Sequence, residues 1–186
     1  MKRFAMAAIV AIMASQSAMA QAPIALDRFD RIELRGGGHV VLRHGPAQRV
    51  TMLRGDPAMT RFTVEDERLV IEACIRSCGR YDLQIEIVVP DIEAVAVQGG
   101  GAIRMQGDSS PRELVAAVTG GGLIDTTAAS IPSLVAAVQG GGVIRARVVS
   151  NLVASVMGGG AITYWGDPHV IRSISGGGSI RSGGGR

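Results

Sequence analysis

The sequence predicts an all-β protein: a right-handed parallel β-helix, or β-solenoid, with Gly-Gly-Gly corners, following an amino-terminal signal peptide. Three observations carry that expectation. Glycine triplets begin at Gly99, Gly120, Gly140, Gly158 and Gly176, at intervals of 21, 20, 18 and 18 residues. The residue two places before each triplet is β-branched and apolar (Val97, Val118, Val138, Val156, Ile174), and isoleucine stands two places after each one (Ile103, Ile124, Ile144, Ile162, Ile180). No segment beyond residue 20 has apolar residues at helical spacing, and the period is too short for a helix-pair repeat or a four-stranded propeller blade.

The elements follow in chain order. Residues 1–20 join a basic start, Met1-Lys2-Arg3, to an apolar run from Phe4 to Ala14 and a small-residue end, Ala18-Met19-Ala20. That order is the pattern of a secretory signal peptide, cleaved before Gln21. The apolar run has 11 residues, short of the ~20 that cross a bilayer as a helix. The mature chain is therefore expected in the periplasm or at the cell surface, with no membrane span and, with Gln21 and not cysteine directly after the cleavage point, no lipid anchor.

Residues 21–182 are expected to form one domain. Its first part is a less regular β region: Phe29 to Leu34 alternates, Gly36-Gly37-Gly38 precedes His39 to Leu42, and Leu69-Val70-Ile71 and Leu83 to Val89 read as further strands ending at Pro90. Cys74 and Cys78 lie in this region. An exported chain meets an oxidising compartment, so the pair is expected to form a disulfide. In an extended strand the two would be ~13 Å apart, beyond the ~7 Å that a disulfide allows, so Ile75-Arg76-Ser77 must turn.

The repeat coils occupy about residues 93–182. Alternation puts Leu114, Ala116 and Val118 and their equivalents on one inward face, so that stacking builds apolar columns from identical positions. Glycine suits the corners because it adopts positive φ readily and leaves room for the next coil. A substitution such as Gly121→Val is thus expected to damage the fold far more than Gly184→Val in the glycine-rich tail, residues 183–186. Arg104, Asp125 and Arg145 fall at the same outward position of successive coils and are expected to form an exposed ladder of ion pairs.

Several functions are excluded by composition. Beyond residue 20 there are 17 basic residues, all arginine, against 16 acidic ones, a net charge of +1. The arginines are scattered singly among acids, which argues against nucleic acid. A phosphate-binding loop needs a helix after the glycines, and a calcium ladder needs an aspartate in every turn; neither pattern is present. His39, His44 and His169 have no metal-ligand spacing, and no nucleophile-elbow motif occurs. No cofactor, no metal site and no catalytic residue is expected.

The opening Phe29-Asp30-Arg31-Ile32, the triplet at Gly36, the segment Val88-Val89-Pro90-Asp91-Ile92, the glycine corners followed by x-Ile, and Ile162-Thr163-Tyr164-Trp165-Gly166-Asp167-Pro168 together resemble the head GIN domain family of autotransporter adhesins. The resemblance covers nearly the whole mature chain. It implies an exported β-solenoid without catalytic residues. The expected function is accordingly a non-enzymatic cell-envelope or secreted module, an adhesin-like surface that contacts an envelope protein or a glycan. The alternative is a polysaccharide-active β-helix enzyme, a lyase or hydrolase, which needs paired carboxylates or an Arg-and-calcium cluster on one face. The binding candidates are Trp165 and Tyr164, in a chain with 3% aromatic residues, together with Arg104 and Arg145. One of the two aromatics is expected to pack inward as an end cover.

Overall fold

A computed structural model describes residues 23–76, 81–107 and 111–184. The signal peptide expected at residues 1–20, and Cys78 of the expected disulfide, lie outside the described residues. Among these residues the chain is all-β, with 14 strands hydrogen-bonded into one curled, open sheet. No helix among them is long and apolar enough to cross a membrane.

The strands form two ladders. Before the regular coils come β1 (Arg31–Gly36), β2 (His39–His44), β3 (Arg49–Arg54), β4 (Thr60–Glu65), β5 (Arg68–Ala73) and β6 (Gln84–Val89). The coils supply β7 (Ala94–Gly99), β8 (Ala102–Gln106), β9 (Glu113–Gly120), β10 (Leu123–Gly140), β11 (Val143–Gly158), β12 (Ala161–Trp165), β13 (His169–Ser175) and β14 (Ser179–Ser182). One ladder runs β4-β5-β1-β7-β9-β10-β11-β13 and the other β3-β6-β2-β8-β10-β11-β12-β14. The long strands β10 and β11 serve both, their first residues pairing in the second ladder and their last in the first. Irregular register at Thr126/Ser130 and Ile131/Ser133 is where they pass from one to the other.

Register aligns identical repeat positions. Ile103, Ile124, Ile144, Ile162 and Ile180 pair in succession, and all five are buried. Leu114, Leu134 and Leu152 form a second column, and Val118, Val138 and Val156 a third. Each such side chain removed from water contributes ~1.5–3 kcal/mol, so these columns are the core of the stack.

The corners stack as well. Gly120 has φ +107, and a Cβ there would lie 2.9 Å from the carbonyl oxygen of Gly99 in the adjacent layer. The carbonyl is occupied, because Gly121 N–H donates to it at 3.0 Å. The third glycine of the triplet is crowded differently: a Cβ on Gly122 would collide with Val97 Cγ1. The middle glycine is neither: Gly121 has no unusual φ and open space around its Cβ position. The expectation that Gly121 carries the corner therefore needs correcting, since the steric demand falls on the first and third positions. Gly184, taken as an undemanding tail residue, has φ +96.

The amino-terminal region does not stack in chain order. The β1–β2 layer lies between β5–β6 and β7–β8, pairing in parallel with both. Beyond β5–β6 the direction reverses, with β4 antiparallel to β5 and β3 antiparallel to β6. This antiparallel pair ends the stack on one side, with Ile24 N–H bonded to Val50 O at 2.8 Å over it. In the β5–β6 layer no glycine triplet follows Ala73, and Cys74 there has φ +64.

Candidate functional site

The outer surface of the second ladder, near the end opposite the antiparallel strands, carries a cleft of about 460 Å³ lined by Asp125, Thr127, Arg145, Arg147, Trp165 and the glycines 166, 183 and 184. Strand alternation explains this grouping. Asp125 and Thr127 leave β10 on the outward face, Arg145 and Arg147 leave β11, and Trp165 leaves β12 in register with Arg147. Layers ~4.8 Å apart and same-face neighbours ~6.6 Å apart along a strand make a small two-dimensional array of side chains.

Each member is fixed by its neighbours. Asp125 Oδ1 accepts hydrogen bonds from Thr127 N–H at 3.1 Å and from Thr127 Oγ1 at 2.7 Å. Trp165 is half-buried, and its indole occupies the space that a Cβ on Gly183 would need. Gly183 is held there by its N–H, which donates to Tyr164 O at 2.7 Å. Arg145 and Arg147 are exposed and enter no salt bridge among the described residues.

The sequence-derived candidates separate. Arg145 and Trp165 meet in the cleft. Tyr164 alternates to the other side, in the column of Thr126 and Ala146, and packs against the core. Arg104 stands outward on β8 in register with Asp125 and does not line the cleft. The expected ion-pair ladder is not formed: Asp125 shares register with Arg104 and Arg145, but its carboxylate turns along its own strand to Thr127. Arg147, Thr127 and Gly183 were not legible as site residues singly. Aligning the repeats offers the signal, because Arg147 lies two places beyond Arg145 and one repeat before Trp165.

Charge is handled differently at the other end. There Glu33, buried on the outside of β1, accepts from Arg35 Nε at 2.7 Å and from Gln98 Nε2 at 2.6 Å. That hydrogen bond raises the already high pKa of the Arg35 guanidinium. Arg54 donates to Asp82 at 2.8 Å and holds its carboxyl below the usual range. Among the described residues, no three His, Cys, Asp or Glu side chains are placed to hold a metal ion.

The first ladder presents a second kind of surface. Val115, Val135, Val153 and Ile171 pair in succession on its outer face and are 46%, 46%, 43% and 59% exposed. The parallel outward column is Ala117, Ala137, Ser155 and Ser173. These two columns carry no charged residue.

Residues 28–130 match the family model described as "Putative auto-transporter adhesin, head GIN domain". Among solved structures, a putative adhesin from Bacteroides fragilis is similar at 17% identity and a TM-score of 0.57, over 87% of this chain and 95% of that one. A putative lipid binding protein from Parabacteroides distasonis is similar at 16% identity and a TM-score of 0.52, with the same coverage of each chain. At these identities the likeness is one of fold. No curated protein matches the chain.

Proposed function

The chain belongs to the head GIN domain family, and from that premise we propose that it is an exported, non-enzymatic envelope module that binds other surface molecules through the outer faces of its sheet. The fold reading that goes with it is a single right-handed parallel β-helix domain over residues 21–182, delivered by a signal peptide over residues 1–20. In-register apolar columns and stacked corners support the helix, and the right-handed preference of parallel crossovers supplies its hand.

The observation that carries the binding reading is the chemistry of the cleft. Its residues are recognition groups: an indole platform, two guanidinium groups without ion-pair partners among the described residues, and a carboxylate. That carboxylate, Asp125, is tied to Thr127 through one oxygen, whereas glycoside hydrolysis calls for two carboxyl groups across the scissile bond. The exposed Val115–Val135–Val153–Ile171 stripe supports a second contact surface, because contiguous exposed apolar area marks interaction sites.

The test is a retention assay with the mature protein and isolated cell envelopes. Saturable retention, with no reducing ends or unsaturated sugars released into the supernatant, is the expected result. Steady release of either product would establish a hydrolase or lyase and overturn the proposal.

A further inference from the structure

We infer that the cleft at Trp165 recognises a carboxylated sugar unit, a hexuronate residue within a glycan; this rests on the binding-module reading and gives it a ligand class. The first support is the distribution of charge. Residues 125–186 contain Arg145, Arg147, Arg172, Arg181 and Arg186 but two acids, Asp125 and Asp167. Every salt bridge among the described residues joins partners within residues 30–93. The net charge of the mature chain is close to zero, so this is a local field and not a global one.

The second support is where the unneutralised arginines stand. Arg145 and Arg147 share one face of β11, ~6.6 Å apart, and Arg181 lies in the column of Arg145 two layers on, with Thr163 between them. Like charges held this close repel, and a bound carboxylate relieves the repulsion while accepting paired N–H donors.

The third support is the rest of the lining. A bare inorganic anion has no use for an indole. A neutral sugar has no use for two guanidinium groups. A uronate uses every part: its apolar ring face on Trp165, its carboxylate on Arg145 and Arg147, and a hydroxyl on Asp125 Oδ2, which takes no hydrogen bond among the described residues. The cleft volume of about 460 Å³ lies within the range of small-molecule sites. An acidic peptide is disfavoured because the lining offers one apolar platform and no pockets for side chains.

Trp165 is the chain's only tryptophan, so intrinsic fluorescence reports on this site. The experiment titrates the mature protein at low salt with trigalacturonate, with its fully methyl-esterified form, and with tetraglutamate. The expected result is a saturable change with trigalacturonate, a Kd at least tenfold weaker for the methyl ester, and a similar loss in Arg147→Gln and in Arg145→Gln. Arg61→Gln, on β4 at the opposite end of the stack and outside the cleft, should bind as the parent does. An absent response to trigalacturonate, equal affinity for the ester, or an unchanged Kd in both cleft variants overturns the assignment. Equal or tighter affinity for tetraglutamate overturns it in favour of an acidic peptide. Envelope retention without a trigalacturonate response removes this ligand class and leaves the module standing, whereas loss of retention removes the module itself.

Discussion

Arg172 stands in register with Ala154, at an inward-facing position that Ala116, Ala136 and Ala154 fill with buried methyl groups in the three layers before it. It is the last layer of the first ladder among the described residues, and there the arginine is exposed. Ile174, the terminal member of the Val118–Val138–Val156 column, is 45% exposed. An unpaired strand edge beside apolar side chains invites another strand, and an inward-pointing charge is one way proteins prevent it. Arg172→Ala should leave the fold intact but make the protein associate as its concentration rises. Sedimentation velocity over a wide concentration range checks this, and unchanged sedimentation would contradict it.

Corner geometry makes a paired prediction. Gly120→Val places a branched side chain at φ +107 against the Gly99 carbonyl, a combination of backbone strain and collision expected to cost more than about 2 kcal/mol. Gly121→Val enters open space and should cost under about 1 kcal/mol. Thermal unfolding of the two variants decides, and equal losses would mean that the corners are not stacked as described.

Those corners also show how much of the fold could be read in advance. The columns Val97–Val118–Val138–Val156 and Ile103–Ile124–Ile144–Ile162 were legible because each repeat restates the same residue at the same offset, which fixes register without any structure. The place of β1 and β2 between β5–β6 and β7–β8 was not. Strands such as Arg31–Gly36 and Arg68–Ala73 alternate alike, and short alternating strands are compatible with several partners until long-range pairing selects one. The cleft was half legible: Trp165 and Arg145 stood out by rarity and by register, while Arg147 gains its meaning from pairing with Trp165. Tyr164, beside Trp165 in sequence, faces the core by simple alternation.

Because Asp125 bonds to Thr127 and not to Arg104 or Arg145, its charge adds little to the fold. Asp125→Asn keeps an oxygen to accept from Thr127 and should change stability by about 1 kcal/mol or less. It should also weaken trigalacturonate binding by a smaller factor than Arg147→Gln does. Denaturant unfolding and the fluorescence titration measure the two effects. A large loss of stability would restore the ion-pair ladder.

Cys74, directly after β5, has φ +64, a backbone bend where a bridge to Cys78 requires a turn. The mature protein purified from the exported fraction should resist alkylation until reduced, and then take up two labels. Mass spectrometry before and after reduction reads this directly. Two thiols that alkylate without reduction would rule the bridge out. Closing so short a loop stabilises by ~2 kcal/mol in the chain-entropy account, so Cys74→Ser should lower the melting temperature modestly and leave the coils folded.

On the proposed function this chain binds a surface glycan and leaves it unchanged. Size profiling of an acidic envelope polysaccharide, before and after prolonged incubation with the mature protein and separation of the bound fraction, tests that most directly. The predicted result is a bound fraction whose chain lengths match the starting material and whose amount falls in Trp165→Ala. Progressive shortening of the polysaccharide, or a bound fraction indifferent to Trp165, would contradict it.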